Sequence, residues 1–183
     1  MDQDDYKEKM KTILNDPIYK KSKNDPTTYL EKKTKNIIQA TTLDDKIKKE
    51  IAPREKSSKC PKIYGLPKIH KPEVPLRPIV SSIGSPLQKL AAFLAKYLQP
   101  KSEEVPSYIR NSAHFIEKTK DIIISDTDIL ASLDIISLFP NIPTEEALDI
   151  ISMDYDFPSD IIDLINQCLQ NTYFTYDGQI YKQ

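Results

Sequence analysis

The residue pattern predicts a helix-rich α+β chain. Apolar residues recur every three or four positions in the first 51 residues and again after Ser85, Thr144 and Ser159, which is the helical period. Pro61–Pro78 holds five of the 14 prolines and one of the three glycines, so extended pieces rather than a helix must carry it. Two further stretches, Ile129–Ile136 and Tyr173–Tyr181, have the apolar character or the two-residue alternation of strands.

Taken in chain order, helices are expected over Tyr6–Leu14, Thr27–Ile38 and Leu43–Ile51, broken by Asp16-Pro17 and Asp25-Pro26. Their many lysines suit partner-binding or capping pieces better than the centre of a core. Ile63-Tyr64 and Arg77–Ser81 are expected as strands, joined by a proline-stiffened loop from Leu66 to Leu76. Ser85 and Pro86 then read as N-cap and first residue of a helix whose stripe of Leu87, Leu90, Ala91, Leu94 and Leu98 ends at Pro100. A further helix is expected over Ser112–Ile122. Ile129–Ile136 reads as a largely buried strand, with Leu130, Ser132, Asp134 and Ile136 facing one way and Ile129, Ala131, Leu133 and Ile135 the other. Helices follow over Thr144–Met153, with Glu145 and Glu146 in the first turn, and over Ser159–Gln170. Tyr173–Tyr181 alternates about Asp177-Gly178, a pair suited to a type I′ turn, and so reads as a hairpin.

At 183 residues the chain has room for one domain with a real core or for two small lobes. Apolar residues at 39% and charged residues at 29% mark it as globular. No apolar run approaches the roughly 20 residues of a membrane span, and no membrane partner is expected. The opening Met1–Lys11 has neither the basic nor the apolar region of a secretory signal, so a location inside the cell is expected. Cys60 and Cys168, far apart and outside any CxxC, read as reduced and structural, which excludes disulfide scaffolds and zinc ribbons.

The net charge of −1 conceals a division. Residues 1–101 hold 22 lysines and arginines against 12 acids, whereas residues 102–183 hold 4 against 15, giving +10 and −11. A basic part can lie on a phosphate backbone and an acidic part can hold divalent cations, so the pair suggests polyanion and metal chemistry; two merely solvated surfaces remain the alternative.

No P-loop, HExxH, GxSxG or Rossmann glycine pattern is present, and His70 and His114 have no companion at metal-ligand spacing. One candidate group is Lys62, Lys68, Lys71 and Arg77, with His70 among them and Glu73 opposing, on a loop stiffened by proline. Cations on a stiff loop lose less entropy on gripping phosphate, and Arg77 suits bidentate contact; taken by itself the loop reads more readily as a solvated surface loop. The other is Asp134, whose ionised carboxylate in apolar surroundings calls for a metal or a hydrogen-bonded partner, unless it caps the strand end and faces water. Asp126 and Asp128 read as a solvated turn.

Tyr64-Gly-Leu-Pro-Lys-Ile-His-Lys-Pro72, Leu76-Arg-Pro-Ile-Val-Ser81 and Ser132-Leu-Asp-Ile-Ile-Ser-Leu-Phe-Pro-Asn-Ile-Pro143, in that order and spacing, resemble the reverse transcriptase of Penelope-like retroelements. The resemblance extends to Asp5-Tyr6, Asp25-Pro-Thr27 and Asn171-Thr-Tyr-Phe174, and so covers nearly all of the chain. It implies reverse-transcriptase-like fingers plus a partial palm: a helical part over 1–60, a basic fingers region over 61–101, and palm with motif A over 102–183. Arg77, with Lys68 or Lys71, would contact the incoming triphosphate. Asp134 would be the motif A catalytic aspartate and a Mg2+ ligand, together with the backbone carbonyl of Ile135. Phe139 would be the aromatic gate beneath the deoxyribose. The implied partners are an RNA template, a DNA primer and dNTPs, the implied place the nucleus, and the implied reaction two-metal nucleotidyl transfer.

Motif B and the Tyr-x-Asp-Asp of motif C do not occur among these residues, nor does a GIY-YIG endonuclease. The chain is therefore expected to be an incomplete domain, a fragment inactive by itself because the other metal-binding carboxylates are missing. The alternative is a non-catalytic nucleic-acid-binding remnant or co-opted module, for which residues 1–101 would suffice.

Overall fold

The computed structural model describes residues 2–135 and 138–183, without the side chains of Phe139 and Pro140. Its architecture is mixed α+β, and the first helix shows why the elements form where they do. In α1 (Gln3–Leu14) the Asp2 carboxylate accepts from the N–H groups of Asp4 and Asp5 at 3.0 and 2.9 Å, with Asp4 and Asp5 in the first turn and Lys11 in the last. Caps and charges thus match the helix dipole at both ends. Asp25 accepts from Thr27 N–H at 2.8 Å as α2 (Thr27–Ala40) begins, and Asp44 accepts from Lys46 N–H at 2.7 Å at the start of α3 (Asp45–Ile51).

Five strands form one sheet: β1 (Lys20–Ser22), β2 (Lys62–Pro67), β3 (Leu76–Ser81), β4 (Tyr173–Tyr176) and β5 (Gln179–Lys182), in the spatial order β1-β5-β4-β2-β3. All neighbours are antiparallel except β2 and β4, which run parallel with Lys62 beside Thr175. The turn between β4 and β5 has φ of 47° at Asp177 and 77° at Gly178, the two left-handed residues that a type I′ turn requires.

One core lies between α1 and the sheet, where Met10 and Leu14 meet Ile63, Leu76, Phe174 and Tyr181. The other joins helices: Ile38 of α2, Ile51 of α3, Leu90 and Leu94 of α4 (Gln88–Glu103), and Ile161, Leu164 and Ile165 of α8 (Ser159–Leu169). From α7 (Thr144–Asp154), Leu148 and Ile151 pack against this second core. Inside it, Gln167 donates to Thr34 Oγ1 at 3.1 Å, so the buried polar pair is satisfied.

Several expectations are corrected. Ser85 and Pro86 are not the N-cap and first residue of α4. Ser85 closes one turn, its N–H on Ser82 O at 2.9 Å, Pro86 lies in the next, closed by Gln88 N–H on Ser85 O at 3.3 Å, and the α-helical bonding starts with Ala91 N–H on Leu87 O at 2.8 Å. Gln88 Oε1, accepting from Gly84 N–H at 2.7 Å, holds the 82–85 turn against the helix. Pro100 lies inside α4: its missing N–H frees the carbonyl of Lys96, an exposed residue that water can reach. A further helix, α5 (Ser112–Thr119), stops three residues short of Ile122, where the Thr119 hydroxyl competes for Phe115 O at 2.9 Å.

The largest correction concerns Ile129–Ile136. Residues 129–135 form no strand and are exposed, Leu133 to 97%, while Ile136 lies outside the described residues. Apolar alternation supplies a face, but a strand exists by pairing its backbone, and among the described residues nothing pairs with this segment.

Candidate nucleic-acid interface

The basic candidate residues fall on one hairpin. β2 pairs with β3 so that Lys62, Tyr64 and Leu66 lie opposite Ser81, Ile79 and Arg77. Directly opposed residues share a face, so these six form one surface of the hairpin. Tyr64 and Leu66 are 41% and 47% exposed and Arg77 is exposed, which leaves that surface open. On the other surface Ile63, Gly65 and Leu76 are buried, with Met10 and Leu14 of α1 in the same core, while Val80 and Pro67 stay exposed.

The loop between the strands is closed by Lys68 N–H on Pro75 O at 2.9 Å and folded by two turns, Lys71 N–H on Lys68 O at 3.0 Å and Val74 N–H on Lys71 O at 3.2 Å. Lys68 is half-buried; His70 and Lys71 are exposed. Among the described residues none of Lys62, Lys68, Lys71 and Arg77 forms an ion pair. Cations without counter-ions beside an exposed tyrosine make a surface suited to phosphate and base contact.

Helix α1 fixes this hairpin from behind. Gly65 N–H donates to Tyr6 Oη at 2.8 Å, and a Cβ on Gly65 would stand 2.8 Å from Leu76 Cδ1 and 2.9 Å from Met10 Sδ. Any side chain here would force the buried Leu76 and Met10 side chains to shift. Lys9 Nζ donates to Glu73 O at 2.6 Å and pairs with Asp5 at 3.2 Å. The short stretches of resemblance meet in the same way. Asp5-Tyr6 touches the 64–74 region, and Thr27 of Asp25-Pro-Thr27 meets Tyr173 of the 171–174 stretch, Oγ1 to Oη at 3.0 Å. Burial pushes the Tyr173 hydroxyl up to about 12 and the nearby Cys60 thiol up to about 11, where both stay protonated. Cys60 and Cys168 are free thiols.

Asp134 and Ile135 stand apart from this arrangement. Both are exposed, and no hydrogen bond or ion pair joins Asp134 to the hairpin. Among the described residues no three His, Cys, Asp or Glu side chains come together to hold a metal. Phe139 belongs to the short helix α6 (Leu138–Asn141), and its side chain, the one that would serve as gate, lies outside the described residues. Asp126 and Asp128 are in an exposed turn, with Ser125 N–H on Asp128 Oδ2 at 2.8 Å.

Sequence reasoning missed two contributors. Tyr64 joins the Arg77 surface because β2 runs to Pro67, further than the two residues expected, and strand alternation would have placed it there. Lys9 acts across 64 positions, for which no local signal exists. Among the described residues no helix is long and apolar enough to cross a membrane. In comparisons with known proteins, no family model, no curated protein and no solved structure matches the chain.

Proposed function

We propose that this chain supplies the fingers and the first part of the palm of an RNA-directed DNA polymerase similar to those of Penelope-like retroelements. The observation that carries the reading is the β2–β3 hairpin. Its Lys68, Lys71 and Arg77, which form no ion pair among the described residues, stand on a proline-stiffened, open support, within the two motifs that the resemblance assigns to the fingers. These residues would hold the triphosphate of an incoming dNTP and the backbone of an RNA template paired to a DNA primer. In the complete enzyme Mg2+ would supply the transfer chemistry, with Asp134 and the Ile135 carbonyl among its ligands.

A second reading is a nucleic-acid-binding module without catalysis, and the exposure of Asp134 favours it. Both readings require phosphate contact by the hairpin. The test is fluorescence anisotropy of an RNA template annealed to a shorter DNA primer, titrated with the 183-residue chain at several salt concentrations. Affinity is expected to fall steeply with salt, and Arg77→Ala to weaken binding and reduce the salt slope by about 1. Absence of binding at low salt overturns both readings. Competition by dNTP that Arg77→Ala abolishes supports the polymerase over the module.

A further inference from the structure

Two residues of the β2–β3 loop hold left-handed backbone conformations, Glu73 at φ 61° and Val74 at φ 43°. Neither is a glycine, and a β-branched valine is disfavoured there, so the loop persists in this shape through something outside itself. The carbonyls of these two strained residues both face α1. Lys9 Nζ donates to Glu73 O at 2.6 Å and reaches Val74 O at 3.5 Å, and Asp5 Oδ2 lies 3.2 Å from the same ammonium. The Lys9 side chain is 28% exposed and that of Asp5 40%, so the clamp is a surface contact whose hold comes from the charge-assisted bond to Glu73 O.

The strained pair is joined directly to the candidate phosphate contacts. Val74 N–H closes the turn on Lys71 O, and Lys71 N–H closes the turn on Lys68 O. Loss of the hold on residues 73 and 74 therefore releases the turns that set the separation and direction of Lys68 and Lys71. A cation that grips phosphate from a preset position binds more tightly than one that must first be ordered.

We infer that Lys9, anchored by Asp5, is a positioning residue that clamps the β2–β3 loop in its phosphate-binding shape without itself contacting phosphate. The inference rests on the reading of Lys68 and Lys71 as phosphate contacts, and its test separates the two. Glutamyl endopeptidase cuts at the Glu73–Val74 bond, whose carbonyl is the one that Lys9 holds. Lys9→Met keeps the apolar stem and removes the donor. It is expected to speed cleavage at that bond and to weaken binding of the RNA–DNA duplex, each by about fivefold or more, the loss of one charge-assisted hydrogen bond. Lys9→Arg, which can still donate to both carbonyls, is expected to restore both. In the Lys68→Ala/Lys71→Ala background Lys9→Met should change binding little, since the residues it positions are gone.

Unchanged cleavage in Lys9→Met overturns the clamp, whatever the duplex does. Faster cleavage with undiminished binding overturns its positioning role, as does a full additional loss of affinity in the Lys68→Ala/Lys71→Ala background. Absence of binding by the wild-type chain with faster cleavage in Lys9→Met sinks the polymerase reading and, with it, the positioning role, while leaving the contact itself established. Asp5→Asn, which leaves the Asp2 cap of α1 intact, gives an independent check: a cleavage rate between wild type and Lys9→Met supports the clamp, and a wild-type rate counts against Asp5 as its anchor.

Discussion

Gly65 ties the sheet to α1, donating its N–H to Tyr6 Oη 59 positions away. With Leu76 Cδ1 and Met10 Sδ inside the space of a Cβ, Gly65→Ala is expected to destabilise the fold by about 1–3 kcal/mol, the cost of overpacking a core, as read from urea unfolding. Gly178 is different. Nothing lies within 4 Å of its would-be Cβ, and its constraint is the φ of 77° alone. That second glycine was legible, because Asp-Gly between alternating apolar residues is a local signal, whereas the demand on Gly65 comes from a helix in another part of the chain. Glu31 shows a further non-local pairing: its carboxylate accepts from the N–H groups of Lys56 and Ser58 at 2.7 and 3.1 Å. Hydrogen bonds from the Ser58 side chain and from this backbone hold its pKa below the ordinary glutamate value of 4.5. A depressed carboxylate stabilises the fold above its unfolded pKa and loses that contribution as pH falls through the folded one. Thermal stability is therefore expected to drop below about pH 4.5, and Glu31→Gln to flatten that part of the profile.

Elements were legible where a local pattern coincided with a neighbour able to cover it. The apolar stripes of α2, α4 and α8 meet one another in the helical core, so period and burial agree. The segment 129–135 has the pattern without the cover, and its exposure follows from pairing that no local sequence can report. Between these cases lies the β2–β3 hairpin. Proline content announced extended structure, but the surface shared by Tyr64, Leu66 and Arg77 depends on register, which strand pairing sets. Arg77 was thus recognisable as a candidate from sequence, and its companions became so once the register was known.

Across the whole molecule, the charge division after Lys101 does not divide the fold. β4 and β5 lie between β1 and β2, and α8 completes a core begun by α2, α3 and α4. A chain of residues 1–101 would leave Ile38, Ile51, Leu90 and Leu94 without α8 and would split the sheet. It is expected to lack the dispersed amide proton spectrum of the 183-residue chain; a well-dispersed spectrum would show that the acidic part is dispensable for folding. Nucleic-acid binding should accordingly belong to the whole chain, placed on the open β2–β3 surface. The most direct measurement is ultraviolet crosslinking of the 183-residue chain to an RNA template carrying 4-thiouridine in its single-stranded part, with the attached peptides identified by mass spectrometry. The polymerase reading predicts crosslinks concentrated in residues 62–81, at Tyr64 and the hairpin loop. Crosslinks confined to other elements, or none at low salt, would contradict it.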